Sequence, residues 1–361
     1  MNDANELISF IASMSGEGNL RVEENLGEGY VRLRVSEAER RQAKHDIQHV
    51  EDIVIEMLRN ARDAGADKVY LATTKEDGVR TLVFLDNGSG VPQDMQERIF
   101  DARVTSKLES MKMDRWGVHG RGMALFSIKQ NTDEARVVAS DVDLGSVFKV
   151  SVATDRLGER ADQSSWPQAV KDEDGHYVCA RGPHNIIRAA CEFALEELRA
   201  CDVYLGSPSE IAATLHAQAS SRLDASRLLF IDDEAELPVV DRLGLASDAE
   251  DFIRICSGLG LEMSERTAHR ILAGQIKPVR GVTARLLRER DSSSHASAPV
   301  DLAKDRRGLR IAKDDMAQFS RAVERDFNDL ASRYYLNLCG DPKIRVSRDR
   351  ITVTFDLVKE E

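Results

Sequence analysis

Three polar side chains recur at helical spacing in the segment EDIVIEMLRNARDA, residues 51–64. Glu56, Asn60 and Asp63 stand at positions i, i+4 and i+7, so a helix would place them on one face. The amide oxygen of Asn60 suits Mg²⁺, which prefers oxygen ligands and keeps several waters when bound. Glu56, one turn earlier, carries a carboxylate that could orient and deprotonate an attacking water. The spacing alone also describes a solvated helix face, so the other polar blocks must decide between the two interpretations.

A second polar block, Asp86-Asn87-Gly88-Ser89-Gly90, directly follows an apolar run. An acid at the end of a strand can accept a hydrogen bond from an exocyclic amine such as that of adenine. Gly88 and Gly90 would let the backbone approach a flat ring closely. Because Asp-Asn-Gly is also a common turn sequence, this block has a purely structural alternative.

Two further blocks contain glycines beside a predicted helix or strand. Gly117, Gly120 and Gly122 precede a predicted helix, Met123–Lys129, whose N-terminal N–H groups could bind phosphate. This run does not fit the pattern GxxxxGK[ST], so the glycines alone are weak evidence. In the fourth block, Ser146 follows Gly145 and offers a hydroxyl where the next strand begins.

The predicted secondary structure would bring these blocks to one sheet. A single long helix is expected from the capping box at Ser36 to Ala64, because Gly65 is the first residue that would stop it. A shorter helix is expected at Gln93–Phe100. Alternating apolar residues predict strands at Tyr30–Val35, Val69–Thr73, Thr81–Leu85, Ala135–Ser140 and Val147–Ala153. The sequence therefore predicts a mixed α/β layer, with helices on one side of a largely antiparallel sheet.

Together, in this order and spacing, the four blocks resemble the GHKL superfamily of ATPases. That superfamily includes the gyrase B subunit, the ninety-kilodalton heat-shock chaperones, the histidine kinases and MutL. The segment 56–66 and the tripeptide Thr105-Ser106-Lys107 look closest to MutL, whereas the run 117–122 is more similar to the gyrase B loop. The resemblance covers roughly residues 40–153. It implies an α+β fold with a GHKL-type α/β sandwich that binds ATP and Mg²⁺.

The resemblance also implies a role for each matching residue. Glu56 would be the general base, Asn60 the Mg²⁺ ligand and Asp63 a supporting residue, while Asp86 would bind adenine. Residues 94–121 would form a lid over the nucleotide. The further nucleotide contacts expected are Gly88, Gly90, Thr105, Lys107, Gly117, Gly120, Arg121, Gly122, Met123 and Ser146.

The family comprises several activities, and Glu56 helps to separate them. Histidine kinases usually carry Asn at this position, and they need a dimerisation helix with a phosphorylatable His upstream. His45 and His49 lie too close to Asn60 for such a separate domain, so a sensor kinase is disfavoured. Anti-sigma-type serine kinases do carry Glu here, so that activity stays an alternative. MutL and gyrase B continue into a domain that supplies a Lys to the γ-phosphate, and no such Lys can be named here.

Beyond residue 155 the chain is expected to be mainly helical, up to residue 290. Helices are predicted at Ile186–Leu205 and Pro208–Leu223, followed by a helix-turn-helix at 248–276 whose second helix carries Arg266, Thr267 and Arg270. Residues 291–305 are expected to be a linker, and 306–361 a helix, near 314–338, followed by a β-hairpin.

Charge separates one segment from the rest of the chain. The whole sequence has a net charge of −12, which argues against wholesale coating of nucleic acid. Residues 264–313 contain twelve Lys or Arg and five acids, an excess of seven positive charges. Such a segment could bind DNA through its phosphates, or it could be a solvated helical hairpin.

The remaining features predict a cytoplasmic protein. No apolar run is long enough for a membrane helix, and the N-terminus lacks the pattern of a signal peptide. The five cysteines are scattered, as expected of free thiols in a reducing compartment. The sequence thus predicts Mg-dependent binding and slow hydrolysis of ATP, which drive a conformational switch, with a homodimer as a further possibility. The alternatives are a DNA-binding regulator with a nucleotide-sensing domain and an anti-sigma-type serine kinase.

Overall fold

The chain forms two compact units, residues 1–287 and 288–361, in a computed structural model. The residues that this structure describes are 22–106, 112–114, 117–119, 122–197, 200–223, 233–287, 313–331, 336–340, 342–346 and 351–359. The predicted linker, 291–305, lies outside them.

The first unit contains twelve strands and seven labelled helices among its described residues. The strands are β1 Val22–Gly27, β2 Tyr30–Leu33, β3 Lys68–Glu76, β4 Val79–Asp86, β5 Val104–Thr105, β6 Lys112–Asp114, β7 Gly117–His119, β8 Glu134–Ser140, β9 Ser146–Ala153, β10 Gln168–Lys171, β11 Tyr177–Arg181 and β12 Asp202–Gly206. The helices are α1 Glu37–Asp46, α2 Val50–Asp63, α3 Ala124–Asn131, α4 Ile186–Glu196, α5 Pro208–Arg222, α6 Ala249–Gly258 and α7 Glu265–Leu272. Residues 282–287 are also helical.

A five-stranded sheet with the order β12-β3-β4-β9-β8 organises this unit. β12 is parallel to β3, and the other neighbours are antiparallel. The register places Asp86, the last residue of β4, opposite Val69 on one side and Ser146 on the other. The second and fourth polar blocks of the sequence therefore meet where the end of β4 lies beside the start of β9.

Helices cover both faces of the sheet, because apolar side chains of its strands alternate between them. On the face called the front here, Leu71, Leu82, Phe84 and Val150 belong to one buried cluster with side chains of α2, α3 and α4. On the back face, Tyr70, Ala72, Val83, Leu85 and Val147 belong to a second cluster with side chains of α5, α6 and α7. The α+β class is confirmed. Helices α2 and α3 pack on the front face, on one side of the sheet as predicted for the first part of the chain, and residues 208–272 add a helical layer on the back face.

The long helix predicted from Ser36 to Ala64 is two helices. Its beginning is as expected, since Ser36 and Glu39 form a capping box at α1. The break follows Asp46, where Ile47 and His49 have extended backbone conformations. The carboxylate of Asp52 accepts hydrogen bonds from the N–H groups of Gln48 and His49, both at 2.8 Å. Because Asp52, the third residue of α2, satisfies the N–H groups just ahead of the helix, it favours a new helix start at residue 50.

Several predicted helices end earlier than expected or are replaced. The helix predicted at Ile186–Leu205 ends at Glu196, and residues 202–206 form β12 at the edge of the main sheet. The domain boundary predicted near residue 155 therefore falls inside the first unit. Gln93–Phe100 forms two short 3₁₀ turns, Gln93–Met95 and Arg98–Phe100, in place of one helix.

The second unit begins, in its described residues, with helix α8, Lys313–Ala331. The helix predicted near 314–338 does not extend to residue 338, because Leu336–Leu338 forms a strand, β13. The strands that follow are β14 Lys343–Val346, β15 Ile351–Thr354 and β16 Leu357–Lys359. β14 and β15 pair as a hairpin where the sequence predicted one, and β16 pairs with β13. No helix among the described residues combines the length and apolar character needed to cross a membrane.

Candidate functional site

A cavity of about 590 Å³ opens on the front side of the sheet. Its volume lies within the range of roughly 300–1,000 Å³ that is usual for small-ligand pockets. The predicted site residues that line it are Glu56, Asn60, Asp63, Asp86, Gly90, Thr105, Gly122, Met123 and Ser146. The structure therefore brings together residues from all four polar blocks, which are up to ninety positions apart in the sequence.

Helix α2 supplies one wall of the cavity. Its apolar residues, among them Ile53, Val54 and Leu58, are fully buried in the front cluster, which fixes the opposite face toward the cavity. Glu56 and Asn60 lie on that face. The carboxylate of Glu56 accepts a hydrogen bond of 2.7 Å from Arg59, whose own side chain is 3% exposed. Glu56 is thus held in place beside the cavity by a buried guanidinium from its own helix.

Asp63 lies at the end of the same wall and is ion-paired. Arg62 contacts the Asp63 carboxylate at 3.0 Å and the Glu197 carboxylate, beyond the end of α4, also at 3.0 Å. The side chain of Asp63 is only 2% exposed. These contacts suit a residue that holds α2 in position, which is the supporting role the family resemblance implies.

Asp86 is the buried acid at the end of β4. It is 4% exposed, and its Oδ1 accepts a hydrogen bond of 2.8 Å from the backbone N–H of Gly88. Gly145 has a positive φ of 76°, and a Cβ there would clash with the carbonyl oxygen of Asp86. A glycine at 145 therefore allows the turn before β9 to close against the Asp86 backbone.

Ser146 lies beside Asp86 and is part of a buried hydroxyl network. Its Oγ is 3.1 Å from the Oγ of Ser140. Ser140 also donates to the carbonyl of Gly145 and accepts from the N–H of Val91, both at 2.8 Å. The network ties three chain segments together behind Asp86.

The predicted lid is described only in part. Gly122 lines the cavity, and its carbonyl accepts a hydrogen bond of 2.8 Å from the N–H of Arg103. Gly117 begins β7, which pairs with β6, so this glycine lies in a two-stranded ribbon and not in the loop that the sequence predicted. Lys107, Gly120 and Arg121 lie outside the described residues.

Arg103 is a cavity residue that the sequence interpretation missed. Its side chain is 8% exposed, lines the cavity and is ion-paired with Glu39 of α1. Among the described residues, its Nε has no hydrogen-bond partner. Its backbone has a positive φ of 63°, an uncommon conformation for a non-glycine residue that tends to occur at functional sites. The available signal was its position two residues before the Thr105-Ser106 pair.

Two titratable groups of the cavity have shifted pKa values. A hydrogen bond from the Ser36 backbone is the main reason that the pKa of Glu39 lies below its usual value, and Arg103 lowers it further. Glu39 is therefore ionised at neutral pH and balances the charge of Arg103. Burial raises the pKa of Tyr30, although a hydrogen bond with Ser106 opposes that shift, so this cavity phenol stays neutral.

The donor set of the cavity suits a magnesium-bound nucleotide. Asn60 contributes an amide group, and Glu56 and Asp86 contribute carboxylates, which are the hard oxygen ligands that Mg²⁺ takes. The buried guanidinium of Arg103 suits phosphate.

The predicted helix-turn-helix lies in the back layer, away from the cavity. Its two helices are α6 and α7, joined by residues 259–264. Arg266 and Arg270 are exposed on α7. Of the basic segment 264–313, the structure describes 264–287 and the backbone of 313.

Residues 47–140 match the family described as histidine kinase-, DNA gyrase B-, and HSP90-like ATPase. This part of the chain is therefore similar to the GHKL ATPases, and the resemblance seen in its motifs is confirmed. Residues of the matched segment line the front cavity.

Curated relatives of the chain carry the name DNA mismatch repair protein MutL. Those of Staphylococcus aureus strains Newman, JH1 and COL are each 28% identical to this chain over 136 residues. The alignment covers 35% of this chain and 20% of each relative. The chain thus spans about a fifth of the length of the MutL proteins it matches.

Proposed function

We propose that this protein binds Mg-ATP in the front cavity, hydrolyses it slowly and uses the cycle as a conformational switch. One observation carries the proposal: Glu56, Asn60 and Asp86 line the same cavity as Gly122 and Ser146. A helix face, a strand end and a lid boundary meet there within a segment that matches an ATPase family.

Adenine is proposed to bind at the Asp86 end of the cavity. The buried carboxylate of Asp86 would accept a hydrogen bond from the exocyclic amine, and Ser146 would support that contact directly or through water. Gly88 and Gly90 would shape this end of the cavity, because a Cβ at either position would meet the protein itself, at Ala64 or at Asp141, so only glycine lets the turn pack this closely. A base without the exocyclic amine should bind more weakly, because it would leave a buried acceptor unpaired.

The phosphates are proposed to lie between α2 and the lid. Asn60 would hold Mg²⁺, which when bound neutralises charge on the phosphate oxygens. Contacts to the phosphates are proposed for Arg103, as well as for Thr105, Lys107, Gly117, Gly120, Arg121, Gly122 and Met123. Arg103 supplies a cation from within the ATPase domain itself, where no lysine from a following domain could be named.

Glu56 is proposed to be the general base for hydrolysis. Its hydrogen bond with Arg59 holds the carboxylate at the cavity wall, from which it would accept a proton from the attacking water. Asp63, held by Arg62, would keep the end of α2 in position. Residues 94–121 are proposed to close over bound ATP, and the closed state could favour a homodimer.

The experiment that tests this function is phosphate release from Mg-ATP by the purified full chain, with nucleotide binding followed in parallel. Glu56→Ala should lower the rate of phosphate release by about a hundredfold or more, whereas nucleotide binding should be retained. A matched control is Glu192→Gln, which removes an arginine-paired acid of α4 at 12% exposure. Turnover that persists in Glu56→Ala would refute the base assignment, and absence of any binding would refute the whole function. Transfer of labelled phosphate to a partner protein would favour the serine kinase instead.

A second function, a DNA-binding regulator with a nucleotide sensor, is proposed because the described part of the basic segment is exposed. Arg266, Arg270, Lys277, Arg280 and Arg285 all have exposed side chains, and Glu265 is the one acid in 264–287. Duplex DNA would therefore be a partner through 264–313. Salt-dependent DNA binding that survives Glu56→Ala would support this function independently of hydrolysis.

A further inference from the structure

Helices α6 and α7 form a fixed helix-turn-helix in the back layer. The side chain of Asp248 accepts a hydrogen bond at the start of α6, and that of Ser264 does so at the start of α7. Between them, Gly260 has a positive φ of 69°, which lets the chain reverse after α6. Phe252 and Ile255 of α6 and Ala268 of α7 are buried in the back cluster. Both helices are therefore attached to the sheet by one apolar side.

The opposite side of α7 is basic and exposed. Arg266, His269 and Arg270 all lie there, and together with Glu265 they border a shallow groove. Arg266 and Arg270 are four residues apart, a spacing at which like charges destabilise a helix. The pair therefore does not contribute to the stability of α7, and its charge is available to a ligand.

The loop after α7 carries two more exposed cations. The N–H of Val279 donates a hydrogen bond of 2.9 Å to Thr214, which is fully buried in α5. This bond fixes the loop on which Lys277 and Arg280 are exposed. A basic surface on a protein with a net charge of −12 attracts a strongly acidic partner to one place.

We propose that α7 is a recognition helix that enters the major groove of duplex DNA and confers sequence preference. Arg266 and Arg270 would reach base edges, where arginine pairs with guanine. His269, which is 3.7 Å from Glu265, borders the same groove. Lys277 and Arg280 would contact phosphates on one strand and fix the orientation of α7. The inference rests on the proposed DNA contact of segment 264–313 and adds the surface, the groove and the mode of recognition.

The DNA surface is joined to the ATPase sheet by direct contacts. Glu262, in the turn, is ion-paired with Lys149 of β9 at 3.1 Å. Gly260 lies against Val138 of β8, such that a Cβ at 260 would be 3.5 Å from the valine side chain. Ser146 of β9 lines the cavity, and Ser140 of β8 is hydrogen-bonded to it. DNA bound at α7 would thus lie on the side of the sheet opposite the nucleotide.

The test is a binding selection with the full-length protein and a pool of random 30-bp duplexes, followed by affinity measurements on the selected and the random duplexes. We expect a selected sequence, with salt-dependent binding of both duplexes. The double variant Arg266→Ala, Arg270→Ala should bind the selected duplex about tenfold or more weakly and should lose its preference over the random pool. Lys277→Ala should weaken binding of both duplexes alike. It should also reduce the slope of log affinity against log salt concentration by about one.

A matched control is Arg136→Ala combined with Arg156→Ala, which removes two half-exposed arginines at the sheet edge. It should leave DNA affinity and preference unchanged. Equal losses of DNA affinity in the control variant and the α7 variant would overturn the inference, as would unchanged DNA binding by the α7 variant. Wild-type protein that prefers single-stranded RNA or binds no duplex would also overturn it. Mg-ADP affinity, measured on the same preparations, should be the same in all variants, so failure of the DNA inference is separable from failure of the ATP site.

Discussion

The two faces of the central sheet carry helical layers of very different chemistry. Among the described residues, the front layer keeps buried polar groups such as Arg59, Asp86 and Arg103 around a cavity. The back layer packs Tyr70, Phe252 and their neighbours into an apolar cluster, in which Thr214 is the one buried polar side chain. Burial of charge is costly unless it is paired or used, whereas burial of apolar area stabilises the fold. The difference indicates that the polar groups suited to a small ligand are concentrated in the front layer, whereas the back layer stabilises the fold mainly by apolar burial.

The largest effect is expected from a deletion in the back layer. Phe252→Ala removes a fully buried ring, and we expect the free energy of unfolding to fall by about 3–5 kcal/mol. Because both layers share one sheet, urea denaturation should remain a single transition for the first unit. The Mg-ADP affinity of the folded variant should not change. Two separate transitions, or loss of nucleotide binding in the folded protein, would contradict the assignment of stability to the back layer and nucleotide binding to the front layer. The control is Val142→Ala, at a residue that is 51% exposed.

A pair of glycine substitutions compares the two layers directly. Gly145→Ala should destabilise the protein by about 2 kcal/mol or more, because φ is positive there and the added Cβ meets the Asp86 backbone. Nucleotide affinity should fall with it. Gly258→Ala, at the end of α6, places its Cβ 3.8 Å from the nearest heavy atom and should be neutral or slightly stabilising. Urea denaturation and Mg-ADP titration measure both; a tolerated Gly145→Ala would show that this turn does not shape the cavity.

Arg103 offers a test of where the phosphates bind. Arg103→Met should lower the affinity for ATP more than the affinity for ADP, because one charged hydrogen bond to the terminal phosphate is lost. The ratio of ATP affinity to ADP affinity should fall by about tenfold. Arg80→Met is the matched control, because Arg80 is a buried arginine of β4 that is paired with Glu159. Isothermal titration with both nucleotides gives the ratio. An unchanged ratio in Arg103→Met would remove this residue from the phosphate site.

The smallest effect concerns a front-face ion pair whose residues do not line the cavity. Burial raises the pKa of Glu159, but hydrogen bonds and charges from Arg80 and Lys75 outweigh it and leave the pKa below its ordinary value of 4.5. The ionised pair therefore stabilises the fold above pH 4.5, and this contribution is lost as the pH falls through the lowered pKa. Glu159→Gln should cost about 1–2 kcal/mol at pH 7 and little at pH values below the lowered pKa.

Thermal unfolding across this pH range measures the difference. The exposed Glu173→Gln serves as the control and should show no pH-dependent difference from wild type. A cost of Glu159→Gln that stays constant with pH would mean that the charge of Glu159 does not stabilise the fold.

The local parts of the architecture were predictable from sequence. The face formed by Glu56 and Asn60 follows from helical spacing, and β3 and β4 follow from alternation around the turn at Asp77-Gly78. The family resemblance then placed the blocks in one site, and the cavity contains residues from each of them. The helix face and the two strands depend on interactions between residues close in sequence, whereas the joint cavity was expected only from the family resemblance.

The parts that were missed depend on tertiary contacts. β12 follows α4 without an intervening Gly or Pro, and its strand conformation is fixed by pairing with β3 and by stacking of Tyr204 on Tyr70 at 4.9 Å. The break before α2 depends on Asp52, whose side chain captures donors that a continuous helix would have used. Arg103 is paired in the cavity with Glu39 of α1, a contact between residues 64 positions apart that local sequence patterns do not reveal.

The central claim, that the front face binds the nucleotide and the back face does not, is tested most directly by one titration. Mg-ATP affinity is measured for wild type, Asp86→Asn and Asp241→Asn. Asp241 is a back-layer acid at 17% exposure that is paired with Arg222 at 2.6 Å. Asp86→Asn should weaken binding by roughly a hundredfold, the loss of a charged hydrogen bond in a buried site, whereas Asp241→Asn should change it less than about twofold. Equal affinities for wild type and Asp86→Asn, or equal losses in both variants, would contradict the account.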